Sequence, residues 1–170
     1  YQTFAHVGHH AYLSFRSAAH GEEPWAVDLD TGAAERLGDL FPGPGWSSPA
    51  DFTSLGNDRA LFTAVTSTGR RFFVTDGTAA GTQLLDVPIT RTAGEYPFVL
   101  GLRNGAALLR ANDGAHGAEL WQTDGTVAGT RLVADIVPGP LSSTPDRLLA
   151  GAHHVFFRAY TSATDVEPWA

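Results

Sequence analysis

One aromatic position returns at a fixed interval along the whole chain. The residues at this position are spaced 48 residues apart: Trp25, Phe73, Trp121 and Trp169. A second column keeps the same interval, formed by Leu13, Leu61, Leu109 and Phe157. Self-similarity at a period of about 20 to 50 residues marks a repeat architecture, in which each unit is a small supersecondary structure that stacks on its neighbours. The chain is therefore predicted to be an array of repeats.

The interval divides the 170 residues into one repeat domain with three full units and a partial fourth. The units are residues 1–48, 49–96, 97–144 and 145–170. The first and last units both carry Glu-Pro-Trp-Ala, and both carry a histidine pair, His9-His10 and His153-His154. Because the chain begins Tyr-Gln-Thr and stops inside a unit, we expect it to be a segment of a longer protein.

Composition narrows the classes of partner. Acidic residues number 18 against 11 basic ones, which gives a formal net charge of −7. A surface that attracts nucleic-acid phosphates is therefore not predicted. With no cysteine, the chain has neither a disulfide framework nor a thiolate metal site. No apolar run approaches the roughly 20 residues of a transmembrane helix, so no membrane span is predicted.

Short apolar runs separated by turn residues predict four β-strands in each unit. In the third unit these runs are residues 98–102, 107–111, 119–123 and 131–136. The equivalent fourth strands of the first two units are predicted at 35–40 and 83–87. Segments 41–49 and 137–145 are rich in proline and glycine and are predicted to be connectors, since proline lacks the donor that a central strand needs. An all-β protein follows.

Four antiparallel strands in a unit of this length are typical of a β-propeller blade. The chain is then a propeller-like array that forms an incomplete ring, with an open solenoid of the same sheets as the competing architecture. The aromatic column is predicted to pack between blades, which makes these residues structural: Trp25, Phe73, Trp121 and Trp169. The truncated last unit is expected to leave a face uncovered, for the rest of a longer chain or another subunit to cover, with these residues on it: Val155, Phe156, Phe157 and Trp169.

The third unit carries the series Glu119-Leu-Trp121, Thr123-Asp-Gly-Thr126 and Ala128-Gly-Thr130. Together with Asp135-Ile136 and Pro138-Gly139, it resembles the bacterial ELWxxDGT repeat family, and the resemblance covers the whole chain at the 48-residue interval. The second unit departs at Phe72-Phe73 and the first at Pro24-Trp25. The resemblance implies a propeller-like fold in a secreted or cell-surface bacterial protein, and it implies no particular reaction.

The Asp-Gly-Thr turns are candidates for calcium binding, since carboxylates beside accessible carbonyls suit that cation. The candidate ligands in the third unit are Asp113, Glu119 and Asp124. The preferred interpretation is structural, in which Asp76 and Asp124 accept hydrogen bonds from backbone amides two residues further on. Calcium apart, no cofactor is predicted.

Catalysis is not predicted. The same turn resembles the Asp-box of sialidase-type propellers, which makes a glycosidase-like propeller enzyme one alternative. A glycosidase needs two carboxylates in distinct roles, whereas acidic residues such as Asp28, Asp76 and Asp124 recur with the period, as a scaffold does. The histidine pairs are not expected to bind a metal, because adjacent residues of a strand point to opposite faces.

The preferred function is a non-catalytic module that binds a carbohydrate or a protein at a loop face, in adhesion or recognition. Exposed aromatic residues are predicted to serve as stacking platforms there: Trp46, Tyr96 and Tyr160. The alternative is a structural subunit of a larger extracellular assembly.

Overall fold

The computed structural model describes residues 4–89, 98–103, 105–151, 154–161 and 165–170. This part of the chain is strand and loop without a helix, which confirms the predicted all-β class. Its strands are β1 Phe4–Val7, β2 His10–Ser17, β3 Gly21–Asp28, β4 Ala34–Arg36, β5 Ala50–Gly56, β6 Arg59–Thr66, β7 Gly69–Thr75, β8 Gln83–Leu84, β9 Phe98–Arg103, β10 Ala106–Asn112, β11 Ala118–Thr123, β12 Arg131–Ala134, β13 Asp146–Ala150, β14 Val155–Tyr160 and β15 Val166–Trp169.

The strands form four antiparallel sheets, and the strands of each sheet come from one 48-residue unit. Three sheets have four strands in chain order, β1 to β4, β5 to β8 and β9 to β12, and the fourth has three, β13 to β15. None of these sheets closes on itself within the described residues. Contacts divide the chain into two compact units: Tyr1–Leu85 contains the first and second sheets, and Asp86–Ala170 contains the third and fourth.

Turn chemistry fixes the hairpins at the positions that the sequence indicates. Between β5 and β6, Asn57 and Asp58 both have positive φ, 52° and 57°, the conformation of a two-residue type I′ turn that asparagine and aspartate tolerate. Glycine is required at Gly117 for a different reason: a Cβ there would lie 2.1 Å from the carbonyl oxygen of Leu141 in the connector. The connector can therefore lie directly against the start of β11.

Each sheet presents two faces, which we name by the aromatic column. The tryptophan face carries the aromatic residue of the column and its cross-strand neighbour. The opposite face carries the residues that alternate with these along each strand. The cross-strand pairs are Leu13 with Trp25, Phe62 with Phe73, Leu109 with Trp121, and Phe157 with Trp169.

In the second sheet the cross-strand neighbour of Phe73 is Phe62, one position after the Leu61 that the 48-residue interval aligns with Leu13 and Leu109. Two residues link β6 to β7 between the paired Thr66 and Gly69, whereas three link the paired Ser17 and Gly21 of the first sheet. The shorter hairpin moves every residue of β6 one place along its partner strand. Because successive side chains point to opposite faces, this shift decides which residue packs beside Phe73.

In the Tyr1–Leu85 unit, the tryptophan face of the second sheet packs on the opposite face of the first. The contact contains a series of stacked rings, in which Phe52 lies 5.1 Å from Tyr12 and 4.7 Å from Phe62, and Phe62 lies 5.4 Å from Phe73. Tyr12 and Ala60 share one buried cluster. Aromatic burial of this kind is worth about 1.5–3 kcal/mol per residue, so these rings are the main apolar link between the two sheets.

In the Asp86–Ala170 unit, the same pairing of faces recurs. Leu108 and Leu120, on the opposite face of the third sheet, form one buried cluster with Val155 and Phe157 on the tryptophan face of the fourth, and Trp169 packs against that cluster. The expectation that Val155 and Phe157 lie on an uncovered face was therefore wrong. Phe156, which lies between Val155 and Phe157 in β14, is exposed, because neighbouring residues of a strand alternate between faces.

The fourth strands are shorter than predicted, since β4 ends at Arg36, β8 at Leu84 and β12 at Ala134. The reason is visible in the first and third units. There a buried glutamate carboxylate accepts backbone amides a few residues beyond the strand: Glu23 accepts from Leu40 and Phe41, and Glu119 accepts from Ile136. The chain leaves the sheet at these points.

Candidate functional site

A cleft of about 660 Å³ lies between the third and fourth sheets, inside the Asp86–Ala170 unit. Its apolar lining comes from the inter-sheet cluster, chiefly Leu108, Leu120 and Phe157. It also borders Trp169, the last residue of β15. Because the fourth sheet has three strands, the side of β15 away from β14 is not occupied by a fourth strand in the described part of the chain. The volume falls within the range of small-molecule sites, which is about 300–1,000 Å³.

Polar groups at the cleft come from three side chains. Gln122 and His154 both line it, and the amide oxygen of Gln122 accepts from Arg131 Nη2 at 3.1 Å and Nε at 3.2 Å when it faces that guanidinium. The indole Nε1 of Trp169 is a buried donor without a hydrogen-bond partner among the described residues. An aromatic ring, an amide and an imidazole around an apolar floor are suited to a ligand with both apolar and hydroxyl surface.

The turn aspartates form the hydrogen bonds predicted for them. Asp76 Oδ1 accepts from the amide of Thr78 at 3.0 Å and Asp124 Oδ1 from the amide of Thr126 at 2.9 Å, each two residues on, so these predicted hydrogen bonds are confirmed. The threonine hydroxyl adds a second bond of 2.7 Å in both turns. For Asp76, the Thr78 hydroxyl is the largest cause that lowers the pKa of the carboxyl.

Asp113 accepts hydrogen bonds within its own loop. Its Oδ1 accepts from the amides of Ala115 and His116, both at 2.9 Å, and its Oδ2 lies 2.7 Å from His116 Nδ1. Burial opposes ionisation of Asp113, but these bonds outweigh it and lower the pKa of the carboxyl. The same contact with Asp113 raises the pKa of His116.

Glu119, the third calcium candidate, is fully buried. Its Oε2 accepts from Ile136 N at 3.0 Å and Ser143 Oγ at 2.6 Å, and its Oε1 accepts from Ser143 N at 2.9 Å. The carbonyl of Ser143 in turn accepts from Tyr160 N at 2.8 Å, so these bonds join the connector to both the third and the fourth sheet. Burial raises the pKa of Glu119, and the hydrogen bonds oppose that rise. Sequence reasoning missed this structural role of Glu119. The repetition of glutamate at positions 23 and 119 could have indicated it.

Asp113 and Asp124 thus accept hydrogen bonds from their own turns, and Glu119 accepts them from Ile136 and from the connector. Across the residues that the structure describes, no group of three or more histidine, aspartate or glutamate side chains is placed to hold a metal ion. Calcium binding at Asp113, Glu119 and Asp124 stays a prediction that a chelation experiment decides.

The histidine pairs are only partly described, since His153 lies outside the described residues. His9 Nδ1 lies 2.7 Å from Asp30 Oδ2 in an exposed contact, and the ring of His10 is tilted on Tyr12 at 6.1 Å. His154 is tilted on Phe156 at 6.3 Å. The two members of the first pair therefore have different surroundings, because His9 lies in the turn between β1 and β2 and His10 is the first residue of β2.

Tyr12 is a buried polar residue that sequence reasoning did not identify. Its side chain is 0% exposed, and its hydroxyl has no hydrogen-bond partner among the described residues. Burial is the main cause that raises the pKa of Tyr12 to about 12, and the charges of Asp76 and Asp58 add to it. Nothing in the sequence distinguishes this tyrosine from an ordinary core aromatic, because its burial depends on the second sheet.

The proposed stacking platforms differ in their placement. Trp46 is exposed in the first connector, with the guanidinium carbon of Arg16 5.1 Å from its ring centre. Tyr160 is exposed at the end of β14, and Tyr96 lies outside the described residues. Trp169, which the sequence assigned to blade packing and not to ligand stacking, borders the cleft.

Of the aromatic column, Phe73 and Trp121 are buried, whereas Trp25 and Trp169 are half-buried. Phe73 stacks on Phe62 within the inter-sheet cluster of the Tyr1–Leu85 unit, and Trp169 stacks on Phe157 at 6.4 Å. Trp25 meets the exposed Phe15 edge-on at 5.7 Å. The structural role of the whole column stays a prediction, for which Trp121 offers the test below.

The described residues contain no helix long and apolar enough to cross a membrane. Comparison of the chain with protein-family models, with curated proteins and with solved structures found no match.

Proposed function

We propose that this chain is a non-catalytic binding module of a secreted or cell-surface bacterial protein, and that the cleft between its third and fourth sheets binds a carbohydrate. The observation that carries the proposal is the combination of cleft volume with the indole of Trp169, the amide of Gln122 and the imidazole of His154. Sugars present both apolar C–H surface and hydroxyl groups, which an aromatic ring beside amide and imidazole groups complements. The secreted location rests on the resemblance of the repeats to the ELWxxDGT family.

A non-catalytic role is supported by the contacts of the acidic residues. Asp113, Glu119 and Asp124 each accept two or more hydrogen bonds from their own loops or connector, so these carboxylates serve local structure. Asp146 pairs with Arg158, whose Nε lies 2.8 Å from Asp146 Oδ1. A glycosidase-like mechanism would need two of these carboxylates to face one substrate.

We also propose that the four sheets are blades of a propeller-like array. The support is that, in each compact unit, the tryptophan face of one sheet packs on the opposite face of the sheet before it. Small-angle X-ray scattering distinguishes the two architectures, because an arc of blades is more compact than an open solenoid of equal length. A profile that fits only an extended rod would contradict the propeller.

The binding proposal is tested on a glycan array with the intact chain and matched variants. We expect Trp169→Ala and Gln122→Ala to weaken binding at least about tenfold, or about 1.4 kcal/mol. Trp46→Ala is the control, since it removes an exposed aromatic that lies in the other compact unit. If Trp46→Ala abolishes binding while Trp169→Ala does not, the platform in the first connector is the site and the cleft is not.

A further inference from the structure

The sequence contains three Asp-Gly pairs, at 76–77, 113–114 and 124–125. Asp-Gly is the aspartyl bond most prone to rearrangement, because glycine has no side chain to hinder attack by its backbone nitrogen. That nitrogen loses its proton and attacks Cγ of the aspartate, so a C–N bond forms and the carboxyl group loses one oxygen as water. Water then opens the resulting succinimide ring at either carbonyl, which gives back aspartate or gives isoaspartate, whose main chain runs through the side chain.

In all three pairs, the glycine N–H donates a hydrogen bond to the side chain of the residue just before the aspartate. The distances are 3.1 Å from Gly77 N to Thr75 Oγ1, 2.7 Å from Gly114 N to Asn112 Oδ1, and 3.0 Å from Gly125 N to Thr123 Oγ1. To attack Cγ, each nitrogen has to leave this bond, lose its proton and turn towards the aspartate. The contact therefore opposes the first step of the rearrangement.

A second threonine fixes the direction of the Thr75 hydroxyl. Thr82 Oγ1 donates to the carbonyl of Thr78 at 2.7 Å, and it also lies 2.7 Å from Thr75 Oγ1. A hydroxyl has a single proton, so Thr75 is the donor to Thr82, and the lone pairs of Thr75 Oγ1 are left to accept from Gly77 N. The third unit has the same two bonds, each of 2.6 Å, at the equivalent residues Thr123, Thr126 and Thr130.

The carboxylate that would be attacked is held as well. Asp76 Oδ1 accepts from both the amide and the hydroxyl of Thr78, and ring closure has to break these bonds. The carboxylate lies directly against Gly81, where an added Cβ would be 2.2 Å from Asp76 Cγ. The Thr78 hydroxyl is also the largest cause that lowers the pKa of Asp76, and an ionised carboxylate gives up an oxygen less readily than a protonated carboxyl group. The equivalent carboxylate of the third unit has the same contacts, with Thr126 and Gly129.

We propose that the side chains of Thr75, Asn112 and Thr123 protect the Asp-Gly bonds of this chain from rearranging to isoaspartate. Each turn keeps the backbone freedom of glycine, while the residue before the aspartate suppresses the reaction to which Asp-Gly is prone. This protection concerns the chemical lifetime of the folded chain and does not depend on carbohydrate binding in the cleft.

The test compares Thr75→Val, which removes the hydroxyl and keeps the shape of the side chain, with Thr75→Ser, which keeps the hydroxyl. Each folded chain is incubated at neutral pH, and isoaspartate at each Asp-Gly bond is measured over time by peptide mapping with electron-transfer fragmentation. Thr75→Val should form isoaspartate at position 76 about three- to tenfold faster than the unsubstituted chain, the factor that one hydrogen bond supplies. Thr75→Ser should react at the unsubstituted rate.

The bonds at 113–114 and 124–125 are controls within the same molecule, because Thr75→Val leaves their own contacts in place. Thr123→Val should reverse the pattern, with the faster reaction at 124–125. In urea, where these hydrogen bonds are lost, all three bonds should rearrange faster than in the folded chain. The proposal is overturned if Thr75→Val leaves the rate at 76–77 unchanged. It is also overturned if that variant accelerates all three bonds together, since the effect then belongs to loss of the fold.

Discussion

Replacing Glu119 by glutamine tests whether the glutamate of the repeat motif is a structural anchor. The change keeps the side-chain size and replaces one carboxylate oxygen by an NH2 group. Both oxygens of Glu119 accept hydrogen bonds: Oε2 from Ile136 N and Ser143 Oγ, and Oε1 from Ser143 N. In either orientation of the amide, its NH2 group therefore faces a backbone N–H, of Ile136 or of Ser143.

The magnitude follows from the donor left without an acceptor. A buried donor that loses its partner costs about 1–3 kcal/mol, so Glu119→Gln should lower the free energy of unfolding by about that amount. Glu119→Ala leaves the amides of both Ile136 and Ser143 unpaired and should cost about 2–6 kcal/mol. Urea denaturation at pH 7 measures both values.

A pH series adds a second readout. Because burial raises the pKa of Glu119 in the folded state, the folded chain binds more protons than the unfolded one between the two pKa values. The stability that this residue contributes is therefore fully present below its unfolded pKa of about 4.3 and is lost as pH rises through the folded pKa. The stability difference between the unsubstituted chain and Glu119→Gln should shrink from pH 4 to pH 7.

Glu167 provides the control, since it occupies the same repeat position in the fourth unit and is exposed. Glu167→Gln should change stability by no more than about 0.5 kcal/mol. A Glu119→Gln variant as stable as Glu167→Gln would refute the anchoring role, and a stability difference that widens towards pH 7 would refute the pKa assignment.

Three further outcomes are expected. Trp121→Ala should destabilise the chain by about 3–5 kcal/mol in a thermal or urea melt, because the ring is buried beside Leu109; an unchanged midpoint would contradict its packing role. Excess chelator should leave the melting temperature unchanged if Asp124 only closes its turn, and a large fall would establish a bound cation. The Asp113–His116 contact should stabilise the chain most between about pH 4 and 6.5, which are the unfolded pKa values of the two side chains. Because the folded pKa of Asp113 is lowered, its contribution is lost as pH falls through that folded pKa. Because the folded pKa of His116 is raised, its contribution is lost as pH rises through that folded pKa. His116→Ala should therefore flatten the pH dependence of stability, and a profile unchanged by that substitution would contradict the contact.

Much of the local structure could be predicted from the residues themselves. The second strand of the third unit is predicted at 107–111, and it lies within β10. The bonds of Asp76 and Asp124 were also predictable, because an aspartate that begins a turn such as Asp-Gly-Thr commonly accepts from the amide two residues on. These features depend on neighbouring residues, so a single sequence contains the information for them.

The candidate cleft could not be predicted in this way. It exists because β12 of the third sheet and β15 of the fourth lie beside the same apolar cluster, although they are more than 30 residues apart in the chain. Trp169 appeared in sequence as one more member of a packing column, and its place at the cleft follows from the arrangement of two sheets.

The sequence by itself determined the 48-residue period, the strand class and the turn chemistry, because hydrophobic alternation and the backbone preferences of glycine, asparagine and proline act over a few residues. The tertiary structure decided which face of each strand is covered. One residue fewer in the β6–β7 hairpin placed Phe62 beside Phe73, and alternation along β14 buried Phe157 while leaving Phe156 exposed. It also decided that Glu119 binds Ser143, 24 residues further on. A carboxylate accepts whatever donors burial brings to it, and only the packed connector brings those.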